Sequence, residues 1–148
     1  MQLKLYNIIK INHIPAIIDK EKIIGSISNF VIKEGYKVKK MEYNFVSKKK
    51  MLKINTKYLN HNTETDIITF NYSVLKKIKA EIYLCYSTIK KRAAENRQRA
   101  ENEVVRVMIH GALHCMGYND KSDKEKKLMT NKENSFLKMF HVKHYNHV

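Results

Sequence analysis

His110 and His114 stand one helical turn apart in the run His110-Gly111-Ala112-Leu113-His114-Cys115-Met116-Gly117-Tyr118-Asn119-Asp120. In a helix, residues i and i+4 share a face with Cβ atoms about 6 Å apart, so two imidazoles at this spacing can converge on one metal ion. Gly117 gives the helix a place to stop, because glycine accepts the left-handed conformation that ends many helices. The residues after it can fold the Asp120 carboxylate back toward the pair. Two histidines and one aspartate would leave the fourth position of a tetrahedral zinc open to water, as in catalytic rather than structural sites. The chemistry suggested is hydrolysis.

Histidine pairs at this spacing also occur as satisfied core or surface residues, so the surroundings decide between the readings. From Val104 to Met116 nearly every position other than Arg106, the histidines and Gly111 is apolar, and a helix apolar on all sides is buried. A buried imidazole without a partner costs on the order of 1 to 3 kcal/mol; a shared metal satisfies both rings at once. In the HExxH motif of zinc peptidases a glutamate follows the first histidine and serves as general base. Gly111 occupies that position here and cannot transfer protons, although it lets a strand or a substrate backbone approach closely. Any base must come from elsewhere.

The run from His110 to Asp120 resembles the HGxLHLxGYDH signature of the YbeY family. Thr65-Asp66-Ile67-Ile68-Thr69-Phe70 is similar to that family's TDVLSF strand, and Ala80-Glu81-Ile82-Tyr83-Leu84 to its GDI-type strand. Order and separation agree from Tyr58 to Gly117, and the chain has the length of a whole member. The resemblance implies a zinc-dependent, single-strand-specific endoribonuclease of ribosomal RNA maturation, processing the 3′ end of small-subunit RNA during ribosome biogenesis. It implies a ribosomal RNA or small-subunit partner and one Zn2+ per chain on His110, His114 and Asp120, which would act catalytically through the activated water. Thr65 and Asp66 would border the substrate cleft, and lysines would hold the RNA backbone.

Two departures from the family pattern bear on this expectation. Where the pattern ends in a third histidine this chain has Asp120, preceded by Asn119 rather than aspartate. A carboxylate is a competent zinc ligand, but its charge weakens zinc as a Lewis acid and raises the pKa of the water it would activate, slowing hydrolysis near neutral pH. Many members also carry an arginine, with an assigned role in RNA cleavage, in the loop before the strand motif. A gapless reading places Leu59 there, and no arginine occurs between Met1 and Lys91. His61 or a nearby lysine is the available substitute for contacting substrate. These departures keep open a non-catalytic, zinc-containing ribosome-assembly factor. A zinc metallopeptidase is the remoter alternative, since Gly111 removes its base.

These residues need elements to hold them. Leu3 to Ile11 alternates as a strand, and Pro15 to Glu34 carries isoleucines at helical spacing and ends near Gly35. Tyr36 to Val46 alternates again, and Ser47 can cap a helix running to Leu59. After the polar loop Asn60 to Glu64 come strands at Asp66–Asn71 and Lys79–Cys85. Ser87 can cap a charged helix over Thr88–Arg99, the histidine helix begins at Glu101, and a last helix covers Lys121–His141. The order βαβαββααα predicts an α+β fold, a small mixed sheet packed against several helices with a zincin-like metal helix.

At 148 residues the chain fits one domain, 1–148, with 141–148 a frayed tail whose histidines invite adventitious metal. A hydrophobic fraction of 43% and a charged fraction of 29% suit a soluble globular protein. No stretch is apolar enough to cross a membrane, and the N-terminus lacks the order of a signal peptide, so a cytoplasmic location is expected. Cys85 and Cys115 sit singly in apolar segments as reduced core residues. The formal charge of +15 suits a polyanion such as RNA. Nearly all of the cations are lysine, however, in a chain also rich in Ile and Asn, so part of the charge reflects composition rather than a binding face.

Overall fold

The computed structural model describes residues 8–59 and 65–145. Strands β1 (Ile9–Asn12), β2 (Lys37–Phe45), β3 (Ile67–Asn71) and β4 (Lys77–Leu84) combine with helices α1 (Lys20–Lys33), α2 (Lys48–Leu59), α3 (Tyr86–Glu95), α4 (Ala100–Cys115) and α5 (Asp123–Tyr145). The fold is α+β, in the expected element order. The four-stranded sheet runs β1-β2-β4-β3; β1 and β4 lie parallel to β2, while β3 lies antiparallel to β4 at the sheet edge.

Alternation builds the core. In β4, Ile78, Ala80, Ile82 and Leu84 are buried while Lys77, Lys79 and Glu81 are exposed, because successive strand side chains point to opposite faces. The buried face meets α4, whose Val104, Val105, Met108, Ile109, Ala112 and Leu113 are fully covered. Tyr43, buried on β2, donates its hydroxyl proton to the Met108 carbonyl at 3.0 Å and so ties the helix to the sheet. Gly111 sits at the closest approach: a Cβ there would lie 3.1 Å from Ile67 Cδ1 and 3.3 Å from Ile82 Cδ1. It is the strand that comes near, as the missing side chain allows.

Several boundaries differ from those read in the sequence. The helix expected from Pro15 begins at Lys20, because Asp19 caps it by accepting from the Lys22 amide at 3.1 Å; the residues before it form a turn closed by Ile18 N–H to Pro15 C=O at 3.0 Å. Of the strand expected over Leu3–Ile11, β1 covers 9–11 and continues to Asn12, and residues 3–7 lie outside the described part. The helix expected over Thr88–Arg99 begins at Tyr86 behind Cys85 and stops at Glu95. Ser87 is not its cap, and the left-handed backbone of Arg97, φ 56°, prevents continuation. Ser47 does cap α2, accepting from the Lys50 amide at 3.1 Å. The last helix runs beyond His141 to Tyr145. Among the described residues no helix is long and apolar enough to cross a membrane, and Cys85 and Cys115 are buried, unbridged thiols.

Candidate active site

The segment from His110 to Asp120 changes direction through a backbone motif its sequence requires. Beyond α4, Gly117 takes φ +88°, its amide bonds the His114 carbonyl at 3.1 Å, and the Tyr118 amide bonds the Leu113 carbonyl at 3.0 Å. This pair of bonds is the Schellman closure, for which glycine is the low-cost residue. Side chains then anchor the turn. Tyr36 donates to the Met116 carbonyl at 2.9 Å, while Glu34 at the end of α1 accepts from the Tyr118 hydroxyl at 2.6 Å and from Lys132 on α5 at 2.8 Å. Burial works to raise the Glu34 carboxyl, but those two hydrogen bonds outweigh it and hold it below the usual carboxylate range. On the far side of Asp120, the Ser122 amide donates to Glu125 at 2.9 Å and the Glu125 amide to the Ser122 hydroxyl at 3.1 Å, a capping box that starts α5.

The result brings His110, His114 and Asp120 together. The two Nε2 atoms are 3.0 Å apart, and Asp120 Oδ2 lies 3.5 Å from each. Donor atoms bound to one tetrahedral zinc at about 2.0 to 2.2 Å lie roughly 3.3 to 3.5 Å from one another, so these three fit a metal ion with little adjustment. Bare lone pairs would also repel at these distances unless a proton or a cation lay among them. The group could hold a metal ion.

Glu133, on α5 and 6% exposed, sets the state of His110. Its Oε2 lies 2.6 Å from His110 Nδ1, which places the ring proton there and leaves the Nε2 lone pair toward the ligand group. Its other oxygen accepts from Arg106 at 2.8 Å, and Arg106 also donates to Asn134 at 2.7 Å. Burial disfavours the His110 imidazolium, yet the hydrogen bond and charge of Glu133, with Asp120 and Asp66 beyond, raise its pKa above the ordinary value. Neither Glu133 nor Arg106 was singled out as a functional residue from the sequence. The available signal was an acid on an apolar stripe: Glu133 falls among Met129, Phe136 and Phe140, all buried on one side of α5.

A cleft of about 440 Å3 opens beside His110, lined also by Asp66, Ile67, Arg106, Asp120, Lys126 and Glu133 among others. Asp66 and Ile67 place the start of β3 at its border. Asp66 is held by Arg92 at 3.0 Å, and the Thr65 hydroxyl donates to the Ile67 carbonyl at 3.3 Å; both side chains therefore have local partners. Lys126 makes no ion pair among the described residues. His61 lies outside them, and Leu59 is the last residue of α2. Cys115 does not join the ligand group; burial pushes its thiol up to about 11.

A solution structure of a Thermotoga maritima protein superposes with a TM-score of 0.63, covering 94% of this chain and 93% of the other at 23% identity, a likeness of fold. The family described as Endoribonuclease YbeY matches residues 10–141. Proteins named Endoribonuclease YbeY are similar along most of the length. That of Flavobacterium psychrophilum is 41% identical over 81% of this chain and 86% of its own; that of Flavobacterium johnsoniae is 38% identical over 78% and 84%. The Bacteroides thetaiotaomicron protein is 34% identical over 82% and 89%. A match that runs from β1 through the last helix and takes in the histidine helix, the turn and β3 together makes this chain a member of the YbeY endoribonuclease family.

Proposed function

We propose that this chain is a zinc-dependent, single-strand-specific endoribonuclease that matures the 3′ end of small-subunit ribosomal RNA in the cytoplasm, with one zinc held by His110, His114 and Asp120. The observation that carries the reading is the spacing of the three donor atoms, 3.0 and 3.5 Å, next to an open cleft lined by His110 and Asp120. When bound, zinc supplies an acidified water or polarises a phosphoryl oxygen. The protein's own residues do the rest. Glu133 holds the His110 proton at Nδ1, the capped turn keeps the Asp120 carboxylate facing both imidazoles, and Lys126 offers an ammonium to phosphate at the cleft wall. Asp66, anchored by Arg92, borders the path of the substrate together with Thr65.

Single-turnover cleavage of an RNA spanning a 3′ ribosomal junction tests this, with casein as a second substrate. Wild-type protein cleaves the RNA and leaves casein intact; His114→Ala abolishes cleavage. Asp120→His moves the rise of activity toward lower pH, whereas Leu59→Arg raises activity across the pH range, because an added phosphate clamp does not depend on that titration. Metal-loaded protein that binds this RNA without cutting it would make the chain an assembly factor. Cleavage of casein would make it a peptidase.

A further inference from the structure

The reverse side of β3 carries an aromatic surface that the cleft does not use. Ile67 and Thr69 face α4, so Ile68 and Phe70 face the other way, toward α2. There Phe70 meets Tyr58 edge-on at 5.5 Å and Tyr83 edge-on at 6.0 Å. These rings, with Tyr72, Lys50 and Glu81, line a cavity of about 340 Å3. Tyr58 is 59% exposed and Tyr72 53% exposed, so both aromatic side chains are largely open to solvent where burial would favour covering them. The flanking helix α2 carries Lys48, Lys49, Lys50, Lys53 and Lys57 and no acidic residue, and Lys57 Nζ stands 5.2 Å over the Tyr58 ring.

We infer that this α2–β3–β4 face is a second RNA contact, a platform on which unpaired bases flanking the scissile bond stack while the lysines of α2 follow the phosphates. The inference rests on the nuclease reading for its substrate class and adds the surface. Aromatic faces within a positively charged track suit single strands, because every unpaired base offers a stacking face, whereas a duplex hides its base faces. Glu81, which accepts from the Tyr83 hydroxyl at 3.4 Å, suits an exocyclic amino group of a base rather than a phosphate. Since β3 is the sheet edge, RNA crossing that edge meets the cleft on one side and the platform on the other.

The test uses chelator-treated full-length protein, which binds without cutting, and a fluorescent single-stranded RNA of about 12 nucleotides. Tyr58→Ala and Tyr72→Ala each weaken binding about tenfold, and Tyr58→Phe and Tyr72→Phe stay within about twofold, because the stacking ring remains. With 4-thiouridine in the RNA, wild-type protein crosslinks at peptides containing Tyr58 or Tyr72, a readout that needs no variant to fold. Absence of that crosslink, unchanged affinity in both alanine variants, or equal losses in the alanine and phenylalanine variants would overturn the platform, leaving the face to a protein partner. The two readings fail separately. Metal-loaded protein that binds through the platform but never cuts ends the nuclease reading alone, and protein that cuts while both alanine variants bind normally ends the platform alone.

Discussion

Glu133 shows what a single residue contributes through its contact with His110, one of the three converging side chains. It fixes the His110 tautomer and raises that ring's pKa, and these effects pull metal uptake in opposite directions. Above the raised pKa the oriented lone pair favours the ion; as pH falls through it, the proton competes and the carboxylate strengthens the competitor. Glu133→Gln is therefore expected to lower zinc affinity about 10- to 100-fold at alkaline pH and to shift the acid fall-off of affinity to lower pH. Chelator competition between about pH 5.5 and 8.5 reads both effects, best with His144 and His147 replaced by alanine to silence the tail; an unmoved fall-off would count against this role. The convergence of these side chains was legible, because His110, His114, Gly117 and Asp120 lie within a dozen residues and helix geometry relates them. Glu133 was not, since it reaches His110 only through the packing of α5 on α4. Substrate contacts at Thr65 and Asp66 were expected from the resemblance of Thr65–Phe70 to the family's strand motif. The partners they hold, the Ile67 carbonyl and Arg92, come from the fold.

At the scale of elements, one helix–sheet contact decides where the site stands. Ala at Gly111 would meet Ile67 and Ile82 at 3.1 and 3.3 Å, so the helix must back away or the isoleucines must shift. Overpacking of this kind costs about 1 to 3 kcal/mol, more than the gain of up to about 1 kcal/mol from helix propensity. Gly25 in α1 has nothing within 4 Å of an added Cβ, so Gly25→Ala keeps only the gain. Urea midpoints should move in opposite directions, down for Gly111→Ala and up for Gly25→Ala; a rise for both would mean that the contact yields freely. Strand alternation and the Ser47 cap made most elements readable. The misplaced boundaries of α1 and α3 share a cause, a local backbone device that overrides a helix-compatible sequence. Ile17 and Ile18 continue the spacing of Ile23 and Ile27, yet Asp19 caps the helix after them. The polar run Asn96 to Arg99 carries no helix-breaking residue, yet the backbone turns left-handed at Arg97 and α3 ends at Glu95.

Across the whole molecule the lysines dominate, with a formal charge of +15. An RNA held by roughly five phosphate contacts should lose about a hundredfold in affinity between about 50 and 200 mM salt, given about 0.7 counterions released per phosphate on a single strand. Anisotropy titrations at several salt concentrations give the slope, and a flat response would assign the charge to composition. A different consequence follows from the origin of the ligands. Two come from α4 and the third from the connection ahead of α5, so an ion bound there would add a tie between segments already joined by the turn, by Glu34 and by the packing of α5 on α4. Bound zinc then belongs to the folding equilibrium by mass action, adding about 2.7 kcal/mol when free metal stands at a hundred times its dissociation constant. The melting temperature should climb with free zinc and drop when it is withdrawn, and His110→Ala should flatten that dependence. On this view scarcity of metal would first loosen the turn and α5, making the enzyme's lifetime as well as its turnover a gauge of zinc supply.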